Sequence, residues 1–219
     1  MINNAIQVIL IITCSIVSSC ATTQQAQWKS REANFYNNRA LACCQKGQYD
    51  QAISDFNKAI EINPRLAHAY NNRGWVYTEK GQYDQAILDF SRAIEIDPQL
   101  SHAYNNRGSA YLFKSQYDQA ISDLNKAIEI DPQLAHAYNN RGWAYIKKWQ
   151  YDQALSDFNK TIQINPRFAE AYFNRAVVYF LKEEYDKSLV DVIKAQELGY
   201  QIPHQFLDEL RKAAGGMGV

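Results

Sequence analysis

Neither sign of charge is in excess in this chain: Lys plus Arg number 23 and Asp plus Glu 23, so the formal net charge is zero. Nucleic-acid binding draws most of its non-specific affinity from clustered positive charge, so no nucleic-acid partner is expected. Glycine and proline are scarce, at 9 and 5 of 219 residues, while 47% of the chain is hydrophobic. That balance excludes a disordered or collagen-like chain and suits one elongated domain. The 4 cysteines supply no disulfide framework, because Cys43 and Cys44 are neighbours whose geometry opposes a bridge and Cys14 and Cys20 lie in a separate N-terminal segment. Cys43 reads as a small core residue and Cys44 as a partly exposed thiol. An intermolecular bridge through Cys44 stays open, and self-association has no other support. Also missing are a Gly-rich phosphate loop, a nucleophile elbow and a His-Glu-x-x-His zinc motif, so neither an enzyme nor a cofactor is expected.

Long apolar runs are missing with one exception. Ala5 to Val17 is nearly free of polar side chains, too short to cross a bilayer comfortably, and leads into Val17-Ser18-Ser19-Cys20. Residues 1–19 read as an export signal. Val-Ser-Ser-Cys resembles the lipobox of bacterial lipoproteins, and the resemblance implies cleavage before Cys20 and lipid on its thiol. No Lys or Arg precedes the apolar run, which departs from the usual signal. A conventionally cleaved secretory signal and an uncleaved anchor are the alternatives. The expected location is a bacterial cell envelope, lipid-anchored, with secretion as the alternative. Residues 20–32 are polar, lack apolar periodicity and read as a flexible tether.

What fills the rest is a block of 34 residues in five copies: 33–66, 67–100, 101–134, 135–168 and 169–202. Strict periodicity of this length marks a solenoid whose units bury their apolar faces only by stacking. Counting positions from Ala67, residues at 4, 8 and 11 (Tyr70, Gly74, Tyr77) share one side of a helix. Positions 20, 21, 24, 27 and 28 (Ala86, Ile87, Phe90, Ala93, Ile94) form a second apolar stripe. Two antiparallel helices per block follow, with Lys80-Gly81-Gln82 as the turn. Asp84 and its counterparts at the start of the second helix are expected to cap free N–H groups. Pro64, Pro98, Pro132 and Pro166, each after Asn or Asp, stop the preceding helix.

These features resemble the tetratricopeptide repeat: the length, Tyr at position 4, Gly or Ala at 8, Tyr at 11 and Ala at 20 in four of five copies, and Pro at 32 in four. The resemblance implies an all-α solenoid of five helix-pair repeats, a right-handed superhelix whose first helices line a concave groove. Residues 203–219 then read as a capping helix, with Phe206, Leu207 and Leu210 on one side, and a disordered tail. Some members of the family grip a partner's terminal carboxylate with Lys and Arg at set groove positions. Here only the Asn at position 6 matches, so that mode is not expected.

Two sets of polar residues stand out against this frame. Position 7, usually apolar in the family, is Arg in every copy, and position 23 is Asp in every copy. A charge beside the packing stripe is costly unless paired, so structural ion pairs are expected, among them Arg73 with Asp89, Arg107 with Asp123 and Arg141 with Asp157. The face of the first helix opposite the core carries His68, Asn71, Asn72 and Trp75, then His102, Asn105, Asn106 and Ser109, then His136, Asn139, Asn140 and Trp143. Amides, imidazoles and indoles in register suit an extended peptide backbone, so these twelve are the candidate peptide-binding residues. The three His lie a whole repeat apart, too far to share a metal ion. Trp149 sits where the first two repeats have turn glycines. The expected function is a non-enzymatic protein-interaction scaffold. Recognition of cell-wall glycan by stacking on Trp75 and Trp143 is the alternative.

Overall fold

The computed structural model describes residues 24, 25 and 27–215. The candidate signal, Cys20 and residues 216–219 lie outside them. Eleven helices and no strand occur among the described residues. They are α1 (27–45), α2 (Tyr49–Ile62), α3 (Ala67–Glu79), α4 (Tyr83–Ile96), α5 (Ser101–Phe113), α6 (Tyr117–Ile130), α7 (Ala135–Lys147), α8 (Tyr151–Ile164), α9 (Ala169–Leu181), α10 (Tyr185–Glu197) and α11 (His204–Ala213). Consecutive helices pack in antiparallel pairs, and each pair stacks on the next. First helices also touch the first helix of the following repeat, α3 on α5, α5 on α7 and α7 on α9, whereas second helices make no comparable contact. The first helices therefore occupy the inner side of the curve. Residues 27–32, expected to be tether, are instead helical and extend α1. No Gly or Pro stands there to stop a helix, and Lys29, Arg31 and Glu32 favour one.

Local chemistry explains the boundaries. The turn inside each pair needs a left-handed residue: Gly47 and Gly81 have φ of 70° and 71°, and the same role falls to Ser115, Trp149 and Glu183 at 57°, 62° and 61°. Their amides close the preceding helix, Gly81 N–H on Thr78 O and Gln82 N–H on Tyr77 O, which satisfies carbonyls that have run out of partners. At the other end, Asn63, Asp97, Asp131 and Asn165 each accept the N–H two residues on through the side chain, forming a turn around the intervening proline. The expected capping by Asp84 does not occur. The N-cap is Gln82, without a side-chain cap bond, and Asp84 lies inside the first turn of α4. Its carboxylate instead accepts from Lys114 of the next repeat, as Asp50 does from Lys80, Asp118 from Lys148 and Asp152 from Lys182. One pair therefore ties each repeat to its successor.

The core alternates small and large residues. Phe90 and Phe158 are fully buried and lie close against the glycines at position 8, Gly74 and Gly142, while the first repeat buries Phe56 in one cluster with Ala40 at that position. A Cβ on Gly142 would stand 2.7 Å from Phe158 Cε1, and one on Gly108 2.8 Å from Leu124 Cγ. In the last repeat the partner at position 24 is the smaller Val192, opposite Ala176. Phe206, Leu207 and buried Leu210 of α11 pack against this last cluster and cap it.

All five Arg–Asp pairs form, each with two hydrogen bonds. Arg107 Nε reaches Asp123 Oδ2 at 2.6 Å and its Nη2 reaches Asp123 Oδ1 at 2.8 Å. The guanidinium also lies 5.9 Å from the Tyr104 ring centroid. Its remaining nitrogen, Nη1, crosses to Ser91 Oγ of the preceding repeat at 2.9 Å. Arg73, Arg141 and Arg175 make the equivalent bond to Asn57, Asn125 and Asn159. Each of these four arginines thus joins three helices, which accounts for a charge where an apolar residue is usual. Hydrogen bonding to Asp123 holds Arg107 above the ordinary arginine range. Burial pushes the Asp157 carboxyl up against the pull of Arg141, whereas in the first repeat the Arg39 hydrogen bond draws Asp55 down. In the fifth repeat the acceptor position holds Ile193, which is exposed.

Candidate groove on the concave face

The inner face is built from positions 2, 5, 6, 9 and 13 of the first helices. Its Asn pairs, expected to offer free donors and acceptors, are committed first to one another. Asn140 Nδ2 donates to Asn105 Oδ1 at 3.1 Å, and Asn105 Nδ2 to Asn106 Oδ1 at 3.2 Å. Asn106 donates to Asn71 at 3.1 Å, Asn71 to Asn72 at 3.4 Å, Asn72 to Asn37 at 3.2 Å and Asn37 to Asn38 at 3.4 Å. The bonds run one way, from the fourth repeat to the first. Amides polarised head to tail in this manner strengthen one another, and the half that is buried would be costly to leave unpaired. The chain is interrupted once. Asn139 accepts from Asn174 at 3.1 Å but donates to Glu170 Oε1 at 3.3 Å rather than to Asn140.

His68, His102 and His136 are exposed and separate, as their spacing requires. His136 turns its edge to Phe168 at 4.9 Å, and His102 Nδ1 lies 3.4 Å from Ser101 Oγ. Trp75 leans on Tyr49 at 6.3 Å and remains half-exposed. Trp143 is more enclosed, with Lys147 Nζ 4.7 Å from its ring centroid. Trp149, at the turn outside this face, is 77% exposed.

A cavity of about 350 Å³ opens where the amide chain breaks. Four of the expected residues line it: Ser109, Asn139, Asn140 and Trp143. The others, Leu112, Phe113, Glu170, Phe173, Asn174 and Tyr200, were not on the expected list. His68, Asn71, Asn72, Trp75, His102, Asn105, Asn106 and His136 lie outside it. The walls are held from behind: Phe113 stacks on Tyr83 at 5.0 Å and 8°, and Phe173 stacks on Tyr200 at 5.0 Å with Phe206 against its edge at 5.4 Å. The floor is amide, Asn139 and Asn174 being almost wholly buried. Repeat-based reasoning missed this cavity because it ranked copies by agreement. The signal was the disagreement, Glu170 and Phe173 replacing His and Asn.

A family model described as tetratricopeptide repeat matches residues 31–99, and another of the same description matches 101–134 and 135–168, together more than half of the chain. No curated protein matches significantly. Among solved structures, a crystal structure of MamA is 28% identical with a TM-score of 0.64, the match covering 73% of this chain and 93% of that one. YrrB, a TPR protein with an unusual peptide-binding site, is 26% identical with a TM-score of 0.62, covering 81% of this chain and 90% of its own. PilF of Pseudomonas aeruginosa is 21% identical with a TM-score of 0.77, covering 86% of each chain, and shares the fold.

Proposed function

The chain belongs to the tetratricopeptide repeat family, and on that footing we propose that it is a non-enzymatic scaffold that takes an extended segment of a partner protein into its concave groove. One observation carries the reading: the 350 Å³ cavity with rigid aromatic walls and an amide floor, at the low end of the ~300–1,000 Å³ range of ligand sites. Aromatic walls supply contact area at little conformational cost, and the remaining N–H groups of the floor can orient a peptide backbone. YrrB, a TPR protein with an unusual peptide-binding site, lends the ligand class. A photoreactive residue in place of Phe113, which is exposed at the cavity rim, tests it against the same residue in place of Leu88, on a second helix. A specific protein adduct from the first position and not the second is expected; equal adducts from both would overturn the groove.

The same proposal places the scaffold in a bacterial envelope, held by lipid on Cys20. Its support is sequence alone, Val17-Ser18-Ser19-Cys20 after an apolar run. Incorporation of an alkyne-tagged fatty acid that is lost in Cys20→Ala is the expected result, and unchanged incorporation would refute it.

A further inference from the structure

The cavity differs from the rest of the inner face in charge. Glu170 is the one ionisable carboxylate among its lining residues, and none of them is cationic. Most carboxylates of the repeated pattern are neutralised by Arg or Lys. Among the described residues Glu170 has no ion-pair partner, only the neutral amide of Asn139 at 3.3 Å. It stands in the first turn of α9, where the positive end of the helix dipole meets its negative charge. Tyr200, on the cavity wall, is raised above its ordinary value by burial and then by the charge of nearby Glu170. Phe113, Trp143 and Phe173 line the same cavity. Lys147 already places its ammonium over the Trp143 ring, which displays how this indole draws a cation.

We propose that the cavity selects a cationic side chain, arginine or lysine, on the bound segment, its charge meeting the Glu170 carboxylate and its stem lying against Phe113, Trp143 and Phe173. The inference rests on the groove reading and deepens it. Glu170 is exposed at the cavity with no cationic partner, and such a carboxylate favours a cation and penalises an acidic residue. Arginine fits both halves of the site, because its planar guanidinium pairs with a carboxylate and stacks on rings.

Three acetylated, amidated pentapeptides with an identical apolar frame test this on the full chain: one with central arginine, one with the neutral isostere citrulline, one with glutamate. Binding is read from the Trp143 indole N–H resonance. The arginine peptide is expected to bind about tenfold more tightly than the citrulline peptide, with glutamate weakest. Glu170→Gln keeps the acceptor for Asn139 and should remove the arginine advantage over citrulline while leaving the melting curve unchanged. Equal binding of arginine and citrulline, or an advantage that survives Glu170→Gln, overturns the charge selection while the groove stands. Failure of every peptide to move the Trp143 signal overturns both.

Discussion

Asn106 Nδ2 donates to Asn71 Oδ1 at 3.1 Å across the boundary between the second and third repeats. The two residues are 35 positions apart, one more than the period, so the link joins position 6 of one repeat to position 5 of the repeat before it. The groove floor is thereby part of the stacking interface, and mutations meant to probe binding there also probe stability.

Asn105→Ala should show this. It removes the acceptor of Asn140 and the donor to Asn106, and leaving such partners unsatisfied costs about 1–3 kcal/mol each where they are buried. Asn38→Ala, at the exposed end of the chain of amides, should fall within about 0.5 kcal/mol of the parent. Urea unfolding followed by circular dichroism compares them, and equal losses would mean the amides act independently.

Arg107→Leu is expected to destabilise by roughly 3–5 kcal/mol, since Asp123 stays buried without its partner. Arg107→Leu with Asp123→Leu should cost clearly less than the sum of the two single changes. A double-mutant cycle by thermal unfolding measures the difference; additivity would show the pair to be inert.

Gly142→Ala brings a Cβ to 2.7 Å from the buried Phe158 ring, and overpacking of this kind costs about 1–3 kcal/mol. The last repeat, with Ala176 opposite Val192, indicates the remedy. Phe158→Val should therefore be less damaging in the Gly142→Ala background than alone, as judged by the melting midpoint.

Trp149→Gly should stabilise. A non-glycine residue at φ 62° carries a left-handed penalty of about 1–2 kcal/mol, partly offset by the entropy glycine loses on folding. The indole makes only an edge contact with Tyr151 at 6.4 Å, so little packing is lost. A lower melting midpoint would mean the ring packs more than its exposure implies.

The helix pairs and the Arg–Asp pairs were legible in the sequence because each has a strong physical demand behind it. An apolar stripe must be covered, and Arg107 and Asp123, both beside that stripe, have no cheaper solution than each other. The asparagine chain was not legible. A neutral amide is nearly as content with water as with a neighbour, so Asn71 and Asn105 do not announce their partners. Asp84 misled for a related reason: a carboxylate near a helix start can cap it or pair elsewhere, and the choice was made by Lys114 in the next repeat. Of the candidate groove residues, Ser109, Asn139, Asn140 and Trp143 reach the cavity, while its aromatic walls came from the copies that break the pattern.

The crossing bond from Arg107 to Ser91, with its counterparts at Asn57, Asn125 and Asn159, gives the array a direction of growth. Every arginine but the first needs a polar residue in the repeat before it, and the fifth repeat offers Ile193 instead. A duplicated unit inserted between existing repeats would find both halves of this joint ready made. One appended after the fifth would bring an arginine to face isoleucine, so the joint favours lengthening of this solenoid from within over lengthening after its fifth repeat.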